Sequence, residues 1–151
     1  MLEIINIDES DKWDSMVKSF SNYDVYYLSR YTKAFKLHGD GEPILIYYHD
    51  EEIRAINVVM IRDIAEDKRF KDKIESENLF DITTPYGYGG FIIEGIPNDN
   101  NLKKINKEYS DCCRSKNIIS EFVRFHPVLK NSKINSEIYE VIDLGLSLIH
   151  I

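Results

Sequence analysis

Residues 43–64 constrain the fold more than any other part of the chain. Residues 43–48 are apolar, residues 49–52 are polar, and residues 53–64 are again mostly apolar. This order predicts an antiparallel hairpin of two strands. Alternation along the second strand gives one face with Ile56, Val58 and Met60 and another with Asn57, Val59 and Ile61. Because apolar residues occupy both faces, this strand is predicted to be central in a sheet and covered by helices.

Helical spacing of apolar residues predicts three helices around this hairpin. The first begins at Asp8 or Ser10, the second covers residues 28–37, and the third covers residues 99–116. The other predicted strands cover residues 2–7, 80–83, 118–125 and 139–144, with a further apolar strand candidate at 91–93 and a polar turn at 131–136. The order βααβββαββ predicts an α/β (α+β) fold, with a mixed, twisted sheet and flanking helices.

Charge and cysteine content restrict the location and the partners. The net charge is −7 and the pI is near 5.1, which argues against binding to DNA or to an anionic membrane surface. No apolar run approaches the ~20 residues that span a bilayer, and the N-terminus lacks the positive charge of a secretory signal. The two cysteines, Cys112 and Cys113, are adjacent and form no disulfide framework. These features predict a cytoplasmic protein without a membrane span.

Self-contained catalytic motifs are absent from the sequence. It has no Walker loop, no Rossmann glycine fingerprint and no serine in an elbow-type context. The four histidines are scattered (His38, His49, His126 and His150), and no two have the spacing of zinc ligands. The sequence therefore predicts no metal site, and a function has to rest on polar residues at strand ends.

One candidate site is the loop Thr83–Gly90, which precedes the strand candidate at 91–93. It contains Tyr86, Gly87, Tyr88 and Gly89. Glycine permits a positive φ and close approach of the backbone, and tyrosine offers a flat apolar face with a polar tip. Two interpretations are open: a tight connection between strands, or a shaped loop that lines a binding surface.

The second candidate site is the strand end at Arg124 and His126. An arginine in a strand inside a sheet needs a counter-charge. Either it pairs with an internal acid such as Asp81 or Glu121, or it clamps a phosphate or carboxylate of a ligand. His126 could act as a general acid or base, or could cap the strand end.

Residues 86–90 and 120–127, with Leu129 and Asn131 just beyond, resemble a paired signature of FemAB-like acyltransferases in the acetyltransferase (GNAT) superfamily. The stretch from residues 24–27 through residues 42–45 resembles the start of that family's first domain. The resemblance covers about residues 20–145. It implies a GNAT-like acyl-CoA N-acyltransferase fold and a role in peptidoglycan or cell-wall polysaccharide biosynthesis.

Members of that family transfer aminoacyl groups from aminoacyl-tRNA to peptidoglycan precursors, or acyl groups from acyl-coenzyme A to amines. They contain two similar halves in tandem, of which the first helps to bind the acceptor and the second carries most of the donor site. By this resemblance, Tyr86, Tyr88 and the glycines between them line the acceptor cleft, and Arg124 and His126 lie near the strand end that faces it. No residue maps onto a catalytic base.

The resemblance also implies a domain organisation. Residues 1–145 are predicted to be a single GNAT-like domain, the first half of a tandem, and residues 146–151 a non-native or truncated tail. The glycine-rich loop that binds the acyl-coenzyme A pyrophosphate is not found, so no cofactor is expected in this chain, and the donor belongs to a missing C-terminal half. The alternatives are a non-catalytic sugar- or peptide-binding module, or an inactive truncated fragment that self-associates through an exposed apolar surface.

Overall fold

A computed structural model of the protein describes residues 1–143. The predicted tail at 146–151 and His150 lie outside the described residues, as does Leu144, the last residue of the final strand candidate. The helices and strands are β1 (Leu2–Asn6), α1 (Ser10–Lys18), α2 (Ser29–His38), β2 (Glu42–His49), β3 (Ile53–Asp63), β4 (Phe80–Thr83), β5 (Ile92–Gly95), α3 (Asp99–Ser115), β6 (Ile118–Phe122) and α4 (Ser132–Asn135).

The six strands form one mixed, mostly antiparallel sheet. Five of them follow the order β1-β2-β3-β4-β6, and the sixth, β5, pairs with another part of β3 than β4 does. The predicted hairpin is confirmed, because β2 and β3 pair antiparallel with Leu45 opposite Val58. Only β4 and β6 pair in parallel. A parallel pair needs a crossover connection, and α3 lies in the chain between these two strands.

Helices cover both faces of the sheet. On one face, Trp13 and Val17 of α1 pack with Ile56 and Val58, and the Trp13 indole donates to the backbone oxygen of Tyr27 at 2.8 Å. On the other face, side chains of α3 such as Ile105 and Tyr109 pack against strand residues such as Ile44, Val59 and Ile82. The prediction that β3 is central and covered on both sides is confirmed. No helix in residues 1–143 is long and apolar enough to cross a membrane.

Three local predictions are wrong. No strand forms over 139–143, where the backbone N–H of Tyr139 donates to Asn135 O at 2.9 Å in the turn after α4. The strand predicted at 118–125 ends at Phe122 and lies at the edge of the sheet rather than inside it. The polar turn predicted at 131–136 contains a short helix, α4, whose Asn135 is fully buried.

Candidate functional site

Strands β4 and β5 are two parts of one interrupted strand. Both pair antiparallel with β3, with Thr83 opposite Met60 and Ile92 opposite Ile56. Between these pairs, eight residues (84–91) face only three residues of β3 (57–59). The additional residues leave the sheet as a loop. The segment 84–90, called here the Tyr–Gly loop, is therefore an excursion from a strand rather than a link between two separate elements.

Hydrogen bonds to its backbone hold the Tyr–Gly loop in one shape. The Tyr31 hydroxyl donates to the backbone oxygen of Tyr86, and the Tyr27 hydroxyl donates to that of Gly90, each at 2.7 Å. Gly87 has a φ of +109°, and a Cβ at this position would overlap the ring of Tyr26. The loop is thus tied to the segment that leads into α2, and its glycine is needed for both conformation and space.

Aromatic rings of α2 and of the segment before it support the tyrosines of this loop. The Tyr88 ring lies 5.7 Å from that of Tyr26 and 5.4 Å from that of His126, between ring centroids. The Tyr86 ring is stacked on Phe35 with centroids 5.9 Å apart, yet 73% of this residue remains exposed. Tyr86 is the loop residue that is presented to solvent, whereas Tyr88 is part of the packing.

His126 is buried, and both of its ring nitrogens have partners. Nδ1 accepts from the backbone N–H groups of Val128 and Leu129, both at 3.2 Å. This fixes the proton of the neutral ring on Nε2, which donates to Asp24 Oδ2 at 3.0 Å. Of the two sequence-based interpretations, this geometry favours the cap, since a general base needs a free lone pair. His126 joins the turn after β6 to the segment before α2.

Arg124 is exposed, and its guanidinium forms no ion pair within the described part of the chain. Of the two open interpretations of Arg124, pairing with Asp81 or Glu121 is not found. Asp81 pairs instead with Arg62 through two hydrogen bonds of 2.9 and 2.6 Å, and Glu121 accepts from two tyrosine hydroxyls. The physical reason is that β6 is an edge strand, so the side chain of Arg124 reaches water. The other interpretation of Arg124, contact with an anionic ligand, stays a prediction.

Arg124 and His126 are expected to differ in how much their substitution changes the stability of the protein. Arg124→Ala should change the free energy of unfolding by less than about 0.5 kcal/mol, as surface substitutions usually do. His126→Ala should lower it by about 2 kcal/mol, because it leaves two backbone N–H groups and Asp24 Oδ2 without this partner. Urea unfolding of both variants checks this, and equal losses in the two would contradict the assigned positions.

The parallel pair diverges immediately after the Tyr–Gly loop. Thr84 N donates to Phe122 O at 3.1 Å, and Gly89 N donates to Arg124 O at 2.9 Å. The last bridge joins Gly89 and Phe125. Beyond it, β5 continues along β3, whereas the chain at His126 turns away. The sheet therefore splits here into two arms.

Two buried asparagines replace the strand that has turned away. Asn131 Nδ2 donates to Gly89 O at 2.9 Å. Asn135 Oδ1 accepts from Phe91 N, and Asn135 Nδ2 donates to Phe91 O, both at 2.9 Å. The Asn135 amide thus offers Phe91 the one donor and one acceptor that a neighbouring strand residue would offer.

The next backbone groups of this edge, those of Ile93, are left open. Ile96 N donates to Glu52 O, so the even-numbered residues of β5, Ile92 and Glu94, form the bonds to β3. The N–H and C=O of Ile93 point away from β3, as those of Phe91 do. Within residues 1–143, neither Ile93 group has a hydrogen-bond partner.

A cleft of about 340 Å³ lies along this open edge. It is called here the β5 cleft, and it is lined by Asn22, by residues 91–94, by residues 128–131 and by Ile134. Its walls combine apolar and polar groups in similar measure, and the polar features include the open Ile93 backbone, Asn131 and Lys130. This combination of apolar groups with directed polar groups is typical of ligand sites.

A larger concavity, about 1150 Å³, lies between the β2–β3 turn and the start of α3, and two of its acids, Asp50 and Glu52, serve the fold. Asp50 accepts from the backbone N–H groups of Glu52 and Ile53, each at 2.9 Å. Glu52 accepts from the side chains of Asn98 and Asn101 at 3.0 and 3.1 Å. The β5 cleft is the better candidate, since the open backbone groups of the Ile93 edge lie in its lining.

Sequence reasoning did not predict the roles of Asn131, Asn135 and Asp24. The available signal was the spacing of the two asparagines, four residues apart after His126-Pro127, which places them on one face of a helical turn. Their partners lie about forty residues earlier in the chain, for instance 44 residues between Asn135 and Phe91. Local periodicity carries no information on such contacts.

Comparison with protein-family models, with curated proteins and with solved structures gives no match. Within residues 1–143, no group of three or more His, Cys, Asp or Glu side chains could hold a metal ion. The function is therefore argued from the geometry of the β5 cleft and the Tyr–Gly loop.

Proposed function

We propose that this chain is the acceptor-binding half of an N-acyltransferase or aminoacyltransferase of the FemAB/GNAT type. The observation that carries the proposal is the divergence of the parallel strands after Gly89 and Phe125, which leaves the Ile93 backbone open over a cleft. The acceptor is a peptidoglycan precursor or a related amine. The donor, acyl-coenzyme A or aminoacyl-tRNA, is bound by a second half.

The open edge suits an acceptor with an extended amide backbone. Such a chain can pair with the N–H and C=O of Ile93 as an added strand would, and the apolar walls at Leu129 and Ile134 can receive alternate side chains. Acyl transfer to an amine depends on orientation and on polarisation of a carbonyl, both of which backbone groups can supply. No covalent nucleophile is required, in agreement with the lack of a triad in the sequence.

The charges around the β5 cleft favour an acceptor that carries a carboxylate. Lys130 is exposed at the cleft and forms no ion pair within residues 1–143. Glu94, the acid in the lining, is already paired with Arg54 at 2.6 Å. Burial alone would raise the pKa of Glu94, but hydrogen bonds from Ser21 and Arg54 hold it below its ordinary value of 4.5. The unpaired charge of the lining is thus positive.

Removal of one backbone donor tests the proposal. Ile93→Pro deletes the open N–H without deleting a bond to β3, because Ile92 and Glu94 form those bonds. Calorimetry with UDP-N-acetylmuramoyl pentapeptide is expected to show binding to the unmodified protein and an affinity about tenfold lower for Ile93→Pro.

Ile93→Val is the matched control, since it keeps the N–H and most of the side chain, and it should bind like the unmodified protein. Urea unfolding establishes that both variants are folded before they are compared. The proposal is wrong if the precursor does not bind at millimolar concentration, or if the proline variant binds as tightly as the valine variant.

A second candidate function, a sugar-binding module, is favoured by the exposure of Tyr86. Its ring is backed by Phe35 and its backbone is fixed by Tyr31, so one face is held ready for stacking. Calorimetry with the two parts of the precursor distinguishes the functions. Binding of the free pentapeptide that is lost in Ile93→Pro supports the acceptor site. Binding of UDP-N-acetylmuramic acid that is lost only in Tyr86→Ala supports the module.

A further inference from the structure

A carboxyl group lies in the packing between α3 and the sheet, outside the proposed binding site. Glu121 of β6 accepts from the Tyr109 hydroxyl at 2.9 Å and from the Tyr139 hydroxyl at 3.1 Å. The Tyr139 oxygen in turn accepts from the Asn57 side-chain amide at 3.2 Å. The other polar atom of that amide, Asn57 Oδ1, is buried without a partner in the described residues. The network joins β3, β6, α3 and the segment after α4.

The surroundings of Glu121 are aromatic, and among residues 1–143 no cation is paired with it. The groups that face it are Tyr109 and Cys113 from α3 and Tyr139 from the segment after α4. Burial raises the pKa of Glu121 from its ordinary value of 4.5 to about 7, and the two hydroxyl donors offset only part of this. The carboxyl group therefore gains or loses its proton near neutral pH.

Tyr139 connects this carboxyl group to one wall of the β5 cleft. Residues 126–139, called here the wall segment, include the asparagines that hold the edge of β5. Besides its bond to Glu121, Tyr139 packs against two other rings. Its ring centroid lies 6.3 Å from that of Phe91 and 5.8 Å from that of Phe125. A change at Glu121 thus acts directly on the part of the wall segment that follows α4.

We propose that Glu121 is a proton-dependent latch on the wall segment, which the neutral carboxyl group keeps closed and the carboxylate loosens. A partly buried carboxylate beside aromatic rings and without a paired cation is costly, and more water reaches it if Tyr139 withdraws. The wall segment is held by helical and side-chain contacts. Within the described residues, no part of the chain after Phe125 pairs with a strand, and for this reason the segment can move. Opening moves one wall of the β5 cleft, so proton concentration controls the shape of this cleft.

The direction of the pH dependence follows from the two states. In the closed state the pKa of Glu121 is about 7, and in the open state it returns toward 4.5. The open state therefore binds fewer protons between these values, and opening increases as pH rises. Between pH 6 and pH 8.5 the opening constant should increase about tenfold, and the increase should level off above pH 8.

Amide hydrogen exchange tests the latch without any ligand. Protection factors, corrected for the intrinsic pH dependence of exchange, are measured from pH 5.5 to 8.5 for the wall segment and for Phe91, whose N–H bonds to Asn135. They should fall about tenfold between pH 6 and 8.5 in the unmodified protein. Glu121→Gln should abolish this change. Glu137→Gln, an exposed change in the same segment, should retain it.

Two results would overturn the proposal: protection factors of the unmodified protein that do not vary with pH, or a Glu121→Gln variant that shows the same variation. A titration by carbon NMR of the Glu121 carboxyl group in the unmodified protein gives an independent reading that needs no variant. Its midpoint should lie near 7 and coincide with the change in protection, and a midpoint near 4.5 would also overturn the proposal. Neither measurement depends on the proposed activity, so either proposal can fail alone.

Discussion

Asn135→Leu is expected to lower the free energy of unfolding by about 4 kcal/mol. The side chain of Asn135 is fully buried and takes part in three hydrogen bonds. Two of them involve the backbone N and O of Phe91, and the third, at 2.8 Å, involves the backbone O of Asn131. Leucine has a similar size but provides neither donor nor acceptor. The buried Phe91 N–H would lose its partner, which costs about 1–3 kcal/mol. Phe91 O and Asn131 O would each lose one of two bonds, since Asn131 Nδ2 still donates to the first at 3.4 Å and Asn135 N to the second at 3.1 Å, and each lost bond costs about 1 kcal/mol.

Asn106→Leu is the matched control for this substitution. Asn106 also donates from its side chain to a backbone oxygen, that of Glu137, but at an exposed position. Water can replace this bond, so the loss should stay below about 1 kcal/mol. Urea unfolding of the two variants gives the comparison. A loss at Asn135 that is no larger than at Asn106 would mean that its amide does not hold the edge of β5.

Gly87→Ala is expected to lower the free energy of unfolding by about 3 kcal/mol, through two separate effects. Alanine at a φ of +109° is strained, and its Cβ would overlap the Tyr26 ring. The ring cannot yield easily, because it is packed against Tyr31 and Tyr88 with centroids 5.2 and 5.7 Å away. The strain costs about 1–2 kcal/mol and the displacement of packed rings about as much again.

Gly39→Ala separates these two effects. Gly39 has a φ of +94° at the end of α2, but no atom lies within 4 Å of a Cβ built there. This variant carries the backbone strain alone, and its loss should be about 1–2 kcal/mol. If Gly87→Ala costs no more than Gly39→Ala, the Tyr–Gly loop is free to move away from Tyr26 and does not present Tyr86 rigidly.

Local sequence pattern predicts the parts of this fold that local physics determines. The hairpin and the central position of β3 follow from apolar residues on both faces of one strand. Helix α3 follows from the spacing of Leu102, Ile105 and Tyr109, which are all buried. The order of strands in the sheet is a different kind of property. It depends on which edges meet, and for this reason the edge position of β6 and the exposure of Arg124 were predicted wrongly.

For the same reason, only part of the candidate site could be predicted from the sequence. Tyr86 and Gly87 stand out because glycine and tyrosine are unusual together in a short segment. The open backbone of Ile93 does not stand out, since it results from a strand that ends early and from two asparagines that replace it. Tyr139 illustrates the converse case. Its neighbours have the composition of a strand, but its backbone N–H donates to Asn135 O and its hydroxyl donates to Glu121, which lies far from it in the chain.

The most direct test of the proposed acceptor site is amide hydrogen exchange, measured by NMR, at Gly89, Phe91 and Ile93. Without ligand, Gly89 and Phe91 should be protected by Arg124 O and Asn135 Oδ1, whereas Ile93 should exchange rapidly. Addition of UDP-N-acetylmuramoyl pentapeptide should slow exchange at Ile93 by at least about tenfold and leave Gly89 unchanged. Rapid exchange at Ile93 in the presence of saturating precursor would contradict the account, as would protection of Ile93 before any ligand is added.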